Sequence, residues 1–145
     1  MTPGYSGTSL AKKLGIKSGM TVMVVGFSDD YAELVAPLPE DVTIERFDTL
    51  PTGRVSASAV DVLHLFTNSR DELFGVLDEA RGVIKQNGMI WVSWYKKAAK
   101  LPTEITEDTI RDAALPLGLV DVKVCAVDEK WSGLKLVIRK ELRTS

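Results

Sequence analysis

The stretch from Asp61 to Tyr95 constrains the fold most, because it predicts a strand, a helix and a second strand in close succession. Asp61–Phe66 is a short apolar run, which is typical of a strand buried on both faces. Met89–Trp94 is a second run of the same kind. Two buried strands joined by one helix form a βαβ unit, so we expect them to lie parallel in one sheet.

The segment between these strands has the pattern of an amphipathic helix. Ser69 and Glu72 match the S-x-x-E capping box that marks a helix start. Apolar residues then recur at helical spacing, namely Leu73, Phe74, Leu77, Ala80, Val83 and Ile84. Asn87 and Gly88 predict a left-handed stop just before the second strand.

The remaining patterns extend this unit to a single α/β domain over residues 1–145, with residues 1–7 as an extended arm. The C-terminal pair of strands alternates and is joined by a predicted hairpin loop at Asp128–Gly133. Right-handed crossovers, together with insertion of the last strand next to Met89–Trp94, predict the sheet order Val42–Phe47, Met20–Gly26, Asp61–Phe66, Met89–Trp94, Leu134–Lys140 and Val120–Val127.

Composition excludes several classes of function. The net charge is −2, which gives no basic footprint for nucleic acid. With one cysteine and one histidine, we expect no disulfide and no metal site. The apolar runs are of strand length, so we expect no membrane segment and a cytoplasmic protein.

The order of elements resembles the Rossmann-like fold of S-adenosylmethionine-dependent methyltransferases. In that three-layer fold the last strand inserts antiparallel into an otherwise parallel sheet, as the C-terminal hairpin here would do. One strand–helix pair of that family is missing, because Thr49–Ala59 is too short to hold both. The resemblance therefore implies a truncated methyltransferase-like fold.

Two phrases of the sequence resemble a bacterial domain-of-unknown-function family. They are GYSGTSLAKKLGIK at residues 4–17 and VKVCAVDEKWSGLKLVIR at residues 122–139. The resemblance spans nearly the whole chain. It implies membership of a family and carries no established activity with it.

Three residues are candidates for binding a nucleotide-like cofactor. Gly26 follows the first strand, where a dinucleotide or S-adenosylmethionine binder has a glycine-rich turn. Asp48 follows the second strand, where an acid can bind ribose hydroxyls, and Asn68 follows the third. The second and third glycines are absent and Phe27 occupies the turn, so an ordinary strand-to-helix turn is the alternative. We therefore expect no tight binding of S-adenosylmethionine.

His64 and Cys125 are predicted to be structural. His64 lies inside a buried strand with no serine or aspartate partner at a recognisable spacing. A hydrogen-bonded core histidine is therefore favoured over a catalytic base. Cys125 lies on an alternating strand with nothing nearby in sequence to lower its pKa.

The carboxyl edge of the sheet has the best candidates for a ligand site, because open α/β sheets bind ligands there. Ser69 begins a helix whose free N–H groups could receive an anion. The other candidates follow the third and fourth strands, namely Arg70, Trp94, Lys96 and Lys97, with Tyr95 beside Trp94. A solvated run of charges is the alternative interpretation.

Two functional hypotheses follow from these patterns. The first is a small Rossmann-like module without catalytic activity that binds a small anionic ligand or a protein partner at the carboxyl edge. The second is a minimal S-adenosylmethionine-dependent methyltransferase that uses Gly26, Asp48 and the region of Asn68.

Overall fold

A six-stranded sheet with helices on both faces forms the protein. The computed structural model describes residues 9–51 and 58–144; the predicted arm at residues 1–7 lies outside them. The helices are α1 (Leu10–Leu14), α2 (Tyr31–Val35), α3 (Arg70–Val83) and α4 (Glu107–Ala114). The strands are β1 (Thr21–Val25), β2 (Thr43–Phe47), β3 (Val60–Phe66), β4 (Ile84–Tyr95), β5 (Leu119–Ala126) and β6 (Trp131–Ile138).

The strand order is β2-β1-β3-β4-β6-β5, which confirms the predicted topology. The first four strands in this order are parallel. Strand β6 is antiparallel to β4, and β5 pairs antiparallel with β6 at the edge of the sheet. The predicted α/β class with an antiparallel C-terminal hairpin is therefore confirmed.

Strand β3 separates two hydrophobic cores. Leu63 and Leu65 belong to the core that α3 and α4 cover. Val62 and Phe66 belong to the core that α1 and α2 cover. Successive side chains of a strand point to opposite faces of the sheet, so this alternation explains why the whole run is apolar.

The predicted stop of α3 at Asn87 and Gly88 is wrong. The helix ends at Val83, and Ile84 is already extended, so the chain passes directly from helix to strand. Gly88 has no positive φ. Its backbone instead lies close to Asp61, since an added Cβ would be 2.9 Å from the Asp61 carbonyl oxygen. Gly88 is thus needed for close approach of strands and not for a helix cap.

The C-terminal hairpin is tighter than predicted. Trp131, Ser132 and Gly133 were expected in the loop, but they belong to β6. The turn closes because the Val127 and Asp128 N–H groups both donate to the Trp131 carbonyl, and the Asp128 carboxylate accepts from the Lys130 and Trp131 N–H groups. The aspartate therefore shortens the loop by satisfying backbone donors locally.

Gly26 is expected to be intolerant of a side chain, whereas Gly75 in the interior of α3 is not. Gly26 has a φ of +84°, and an added Cβ would be 2.5 Å from the Phe66 carbonyl oxygen. The left-handed conformation alone costs a non-glycine residue roughly 1–2 kcal/mol. Gly26→Ala should therefore lower the free energy of unfolding by at least about 1–2 kcal/mol.

Gly75→Ala is the matched control, because no atom lies within 4 Å of its added Cβ. It should raise stability by roughly 0.5–1 kcal/mol through helix propensity. Chemical denaturation of both variants checks this pair. A Gly26→Ala protein as stable as the wild type would contradict the described turn.

Candidate functional site

A cleft of about 1200 Å³ opens at the carboxyl ends of the parallel strands. We call it the carboxyl-edge cleft. Its lining comes from the turns after β1, β2 and β3, from the end of β4, from the hairpin and from the first three helices. The lining residues are Gly26–Asp29, Asp48, Phe66–Ser69, Tyr95, Val127–Trp131, Ser9, Leu10, Glu33, Leu34, Ala36, Pro37 and Glu72.

The topology explains why the cleft forms at this place. From β1 the chain first continues to β2 on one side and then to β3 on the other side of β1. The connections after β1 and β3 therefore leave the sheet edge in opposite directions and leave a crevice between them. Open α/β sheets bind their ligands at such switch points.

Aromatic rings form one wall of the cleft. Phe27 packs on Phe66 with their ring centroids 4.5 Å apart, and Trp131 meets Phe66 edge to face at 5.0 Å. Tyr95 packs against Trp131 at 4.5 Å. Trp131 and Tyr95 are only half-buried, so these two rings are accessible to a ligand.

The charged residues of the lining are mostly acidic. Lys130 is the one cation among the described lining residues. Against it stand six carboxylates, those of Asp29, Glu33, Asp48, Glu72, Asp128 and Glu129. Arg46 beside the cleft adds one further positive charge, and its guanidinium donates to the Phe27 and Asp29 carbonyls. Carboxylates therefore outnumber cations around the cleft even when Arg46 is counted.

The expectation of free N–H groups at the start of α3 is wrong for two of its positions. Ser69 caps the helix by accepting from the Glu72 N–H at 3.2 Å. The Arg70 N–H donates to the Glu104 carboxylate at 2.9 Å. Glu104 itself therefore supplies an anion to the positive end of the helix dipole, beside the place predicted for a ligand anion.

The structure brings together four of the predicted site residues. Gly26, Asp48, Asn68 and Ser69 all line the cleft, at the ends of β1, β2 and β3. Asp48 is exposed. The Asn68 side-chain oxygen accepts from the Tyr95 N–H at 2.8 Å, which ties the ends of β3 and β4 together.

The other four predicted ligand-binding residues do not line the cleft. The Arg70 guanidinium lies 4.3 Å over the Phe74 ring. Trp94 is only 8% exposed and belongs to the core under α3 and α4. Lys96 and Lys97 begin the loop after β4, where the Lys96 N–H donates to the Lys130 carbonyl.

Trp131 takes the place in the aromatic wall that was expected for Trp94. Trp94 and Tyr95 are adjacent in β4, so their side chains point to opposite faces of the sheet. Only Tyr95 therefore reaches the cleft. The sequence signal for Trp131 was its position at the tip of the hairpin, which returns to the end of β4 where Tyr95 pairs with Trp131.

His64 lies beneath this wall in a closed hydrogen-bond network. Its Nδ1 lies 2.8 Å from the Tyr31 hydroxyl, and its Nε2 lies 2.7 Å from the Ser93 hydroxyl. All three side chains are fully buried. Burial lowers the pKa of His64 to about 3 and raises the pKa of Tyr31. The prediction of a hydrogen-bonded structural histidine is confirmed.

A family model described as a protein of unknown function, DUF3052, matches residues 11–140. The chain belongs to the DUF3052 family. The family resemblance seen in the sequence is thereby confirmed. No curated protein matches this DUF3052 chain.

Solved structures similar to this DUF3052 protein include several methyltransferases. An S-adenosylmethionine-dependent methyltransferase of Aquifex aeolicus has a TM-score of 0.68 at 16% identity, covering 89% of this chain and 87% of that one. A candidate type 11 methyltransferase of Sulfolobus solfataricus has a TM-score of 0.67 at 15% identity, covering 94% and 93%. Fibrillarin of Aeropyrum pernix, with natively bound S-adenosyl-L-methionine, has a TM-score of 0.59 at 14% identity, covering 88% and 73%. At such low sequence identity, the structural similarity establishes the fold alone.

Within residues 9–51 and 58–144, no group of three or more His, Cys, Asp or Glu side chains is placed to hold a metal ion. None of the helices in that part of the chain is both long and apolar enough to cross a membrane.

The buried histidine is expected to make folding stability depend on pH. His64 has a pKa of about 3 in the folded protein and about 6.5 when unfolded. Between these values the unfolded chain binds the extra proton, so stability is full above pH 6.5 and falls as the pH is lowered. The slope from this group is at most about 1.4 kcal/mol per pH unit.

Denaturant unfolding of the wild type and of His64→Gln between about pH 5 and pH 7 isolates this effect, since His64 is the only histidine. Glutamine keeps hydrogen-bonding capacity and does not titrate. The variant should be less stable at pH 7 but should have a flatter pH dependence. Equal slopes in the two proteins would contradict the buried neutral histidine.

Proposed function

We propose that this protein is a non-catalytic small-molecule-binding module and that its carboxyl-edge cleft takes an organic cation. One observation carries the proposal: partly exposed aromatic rings line the same cleft as six carboxylates and one lysine. Aromatic faces attract ammonium groups through the ring quadrupole. Carboxylates in a concave surface add a focused negative potential.

Tyr95 and Trp131 are the best-placed rings for a cation. They meet at a tilt of 41°, and both are half-buried, so part of each ring is accessible at the cleft. Asp128 and Glu129 belong to the same turn as Trp131. A cation at this corner would therefore contact aromatic faces with carboxylates close by, and such contacts are worth roughly 0.5–2 kcal/mol for each ring.

The sign of the ligand charge differs from the anion that the sequence suggested. That suggestion depended on Arg70, Lys96 and Lys97, which lie outside the cleft lining. It depended also on the start of α3, where Glu104 already lies. With these contributions removed, the lining carboxylates favour a positively charged ligand.

The non-catalytic part of the proposal rests on the two residues best suited to proton transfer or nucleophilic attack. His64 is fully buried and both of its ring nitrogens are engaged by Tyr31 and Ser93. Burial raises the pKa of the Cys125 thiol, which disfavours the nucleophilic thiolate. Cys125 also does not line the cleft.

Choline is expected to bind in the cleft, whereas its uncharged isostere 3,3-dimethyl-1-butanol is not. The isostere has the same shape without the charge, so the comparison measures the charge alone. Trp131→Leu should weaken choline binding by about fivefold or more, the effect of losing one cation–π contact of roughly 1 kcal/mol. Isothermal titration calorimetry measures these affinities.

One double variant tests the contribution of the carboxylates, and a second double variant is its control. The double variant Asp128→Asn with Glu129→Gln should weaken choline binding, and added salt should reduce the difference. Lys96→Ala with Lys97→Ala should bind choline as the wild type does. Equal affinity for choline and its isostere, or no binding of choline, would overturn the proposal.

A minimal S-adenosylmethionine-dependent methyltransferase is the second candidate. Its support is the fold of the neighbouring structures and the position of Asp48 in the cleft at the end of β2. S-adenosylmethionine also carries two positive groups against one carboxylate, so a negative cleft would accept it. The turn after β1 argues against it, because Phe27 packs inward there and Asp29 faces the cleft.

S-adenosylmethionine is therefore expected to bind more weakly than micromolar. The glycine-rich turn that would bring backbone N–H groups to the ligand carboxylate is reduced to Gly26. Calorimetry with S-adenosylmethionine and S-adenosylhomocysteine checks this. Micromolar affinity, about −8 kcal/mol, that is lost in Asp48→Asn would favour the methyltransferase.

A further inference from the structure

The outer strand β5 leaves one side of its backbone without a strand partner in the described sheet. Val122 and Val124 on this strand are 53% and 50% exposed, and Lys123 between them is also exposed. A free strand edge is a template for pairing with another chain. Exposed valines beside it add apolar surface that a partner could cover.

Positive charge is concentrated next to this edge. Lys123 of β5 is directly opposite Lys135 of β6. Like charges at opposite positions destabilise a sheet. Within the described residues, no carboxylate lies within 4 Å of the Lys17, Lys123 or Lys135 ammonium. The pKa of Lys135 is lowered by its burial and by the charges of Lys123 and Lys17.

We propose that this surface, formed by β5 with Lys17, Lys123 and Lys135 and here named the basic edge, binds an extended acidic segment of a partner protein. The segment adds to β5 as a further strand, so its backbone pairs with the free edge. Alternate side chains of an extended chain point to opposite faces. An acidic residue of the added strand would lie beside Lys123, and the charge of Lys135 one strand further in would add to the attraction. Apolar residues on the other face would contact Val122 and Val124.

Protection of the sheet edge is the competing explanation for these lysines. An edge lysine and a bulge both discourage unwanted strand pairing, and β5 has Lys123 and a register shift between Asp121 and Lys123. This explanation does not account for Lys135, however. Lys135 lies on β6, which has strand partners on both sides and needs no protection.

Charge also distinguishes between possible occupants. A second copy that paired antiparallel with β5 in a register centred on Lys123 would bring the two Lys123 side chains together, and their repulsion disfavours it. Nucleic acid is disfavoured because the chain has a net charge of −2 and the basic edge has no arginine or aromatic side chain among its defining residues. An acidic peptide has the complementary charge, and its backbone can pair with the free N–H and C=O groups of β5.

The test uses an acidic peptide of alternating glutamate and valine, with fluorescence anisotropy as the measurement. Two control peptides separate the contributions. One replaces glutamate by lysine, and the other keeps glutamate but methylates alternate backbone nitrogens, which removes half of its strand donors. The first peptide should bind, and both controls should bind at least about tenfold more weakly.

Protein variants locate the binding surface. Lys123→Glu with Lys135→Glu should weaken peptide binding by at least about tenfold, whereas Lys96→Glu with Lys97→Glu should not change it. Lys135→Gln should melt at or above the wild-type temperature, since it removes a repulsion, and should still weaken binding. Lys135→Gln keeps the test valid if the double variant Lys123→Glu with Lys135→Glu misfolds.

Other outcomes would overturn the proposal. One is that the methylated peptide binds as tightly as the unmethylated one. Another is that Lys135→Gln binds the peptide as the wild type does, or that Lys96→Glu with Lys97→Glu weakens peptide binding. Tighter binding of duplex DNA than of the peptide would assign the surface to nucleic acid. Concentration-dependent dimers that Lys123→Gln strengthens would assign it to a second copy. The test is independent of ligand binding in the carboxyl-edge cleft, which choline reports separately.

Discussion

The parallel pairing of β3 with β1 on one side and β4 on the other is the interaction on which the rest of the structure depends. Because β3 is buried on both faces, it must contribute side chains to two cores, and its one polar residue there, His64, must find partners inside the protein. Tyr31 from α2 and Ser93 from β4 supply them. The same pairing brings the ends of β1 and β3 together and so creates the crevice that becomes the carboxyl-edge cleft.

Most of the architecture follows from local patterns in the sequence. Apolar runs predicted three of the strands and alternating patterns predicted the other three. The crossover rule and the insertion of the last strand next to β4 placed them in the observed order. The errors lie at element ends, where tertiary contacts override local propensity. Asn87 and Gly88 match the pattern of a helix stop. Gly88 is instead required because the Asp61 carbonyl lies close to its backbone. Trp131 lies in a sequence that is typical of a loop. Because its N–H donates to the Asp128 carboxylate, the turn is tight and Trp131 belongs to β6.

The sequence predicted the position of the candidate site but not the sign of the charge that its ligand carries. Residues that directly follow strands, such as Asp48 and Asn68, reach the carboxyl edge because the topology demands it. Whether a charge further along the chain faces the cleft depends on the path of its loop, which spacing does not reveal. Glu104 is distant in sequence from α3, yet its carboxylate binds at the start of that helix. This one contact replaces the anion that the helix alone would attract.

A single titration tests the central claim that the cleft prefers cations. The three tryptophan indole N–H groups give separate signals in a proton–nitrogen correlation spectrum, and Trp131 alone among them lines the cleft. With choline added, the Trp131 signal should move in a saturable way while the buried Trp91 and Trp94 signals stay in place. Inorganic phosphate at equal ionic strength should leave all three unmoved. Movement of Trp131 with phosphate and not with choline would contradict the account.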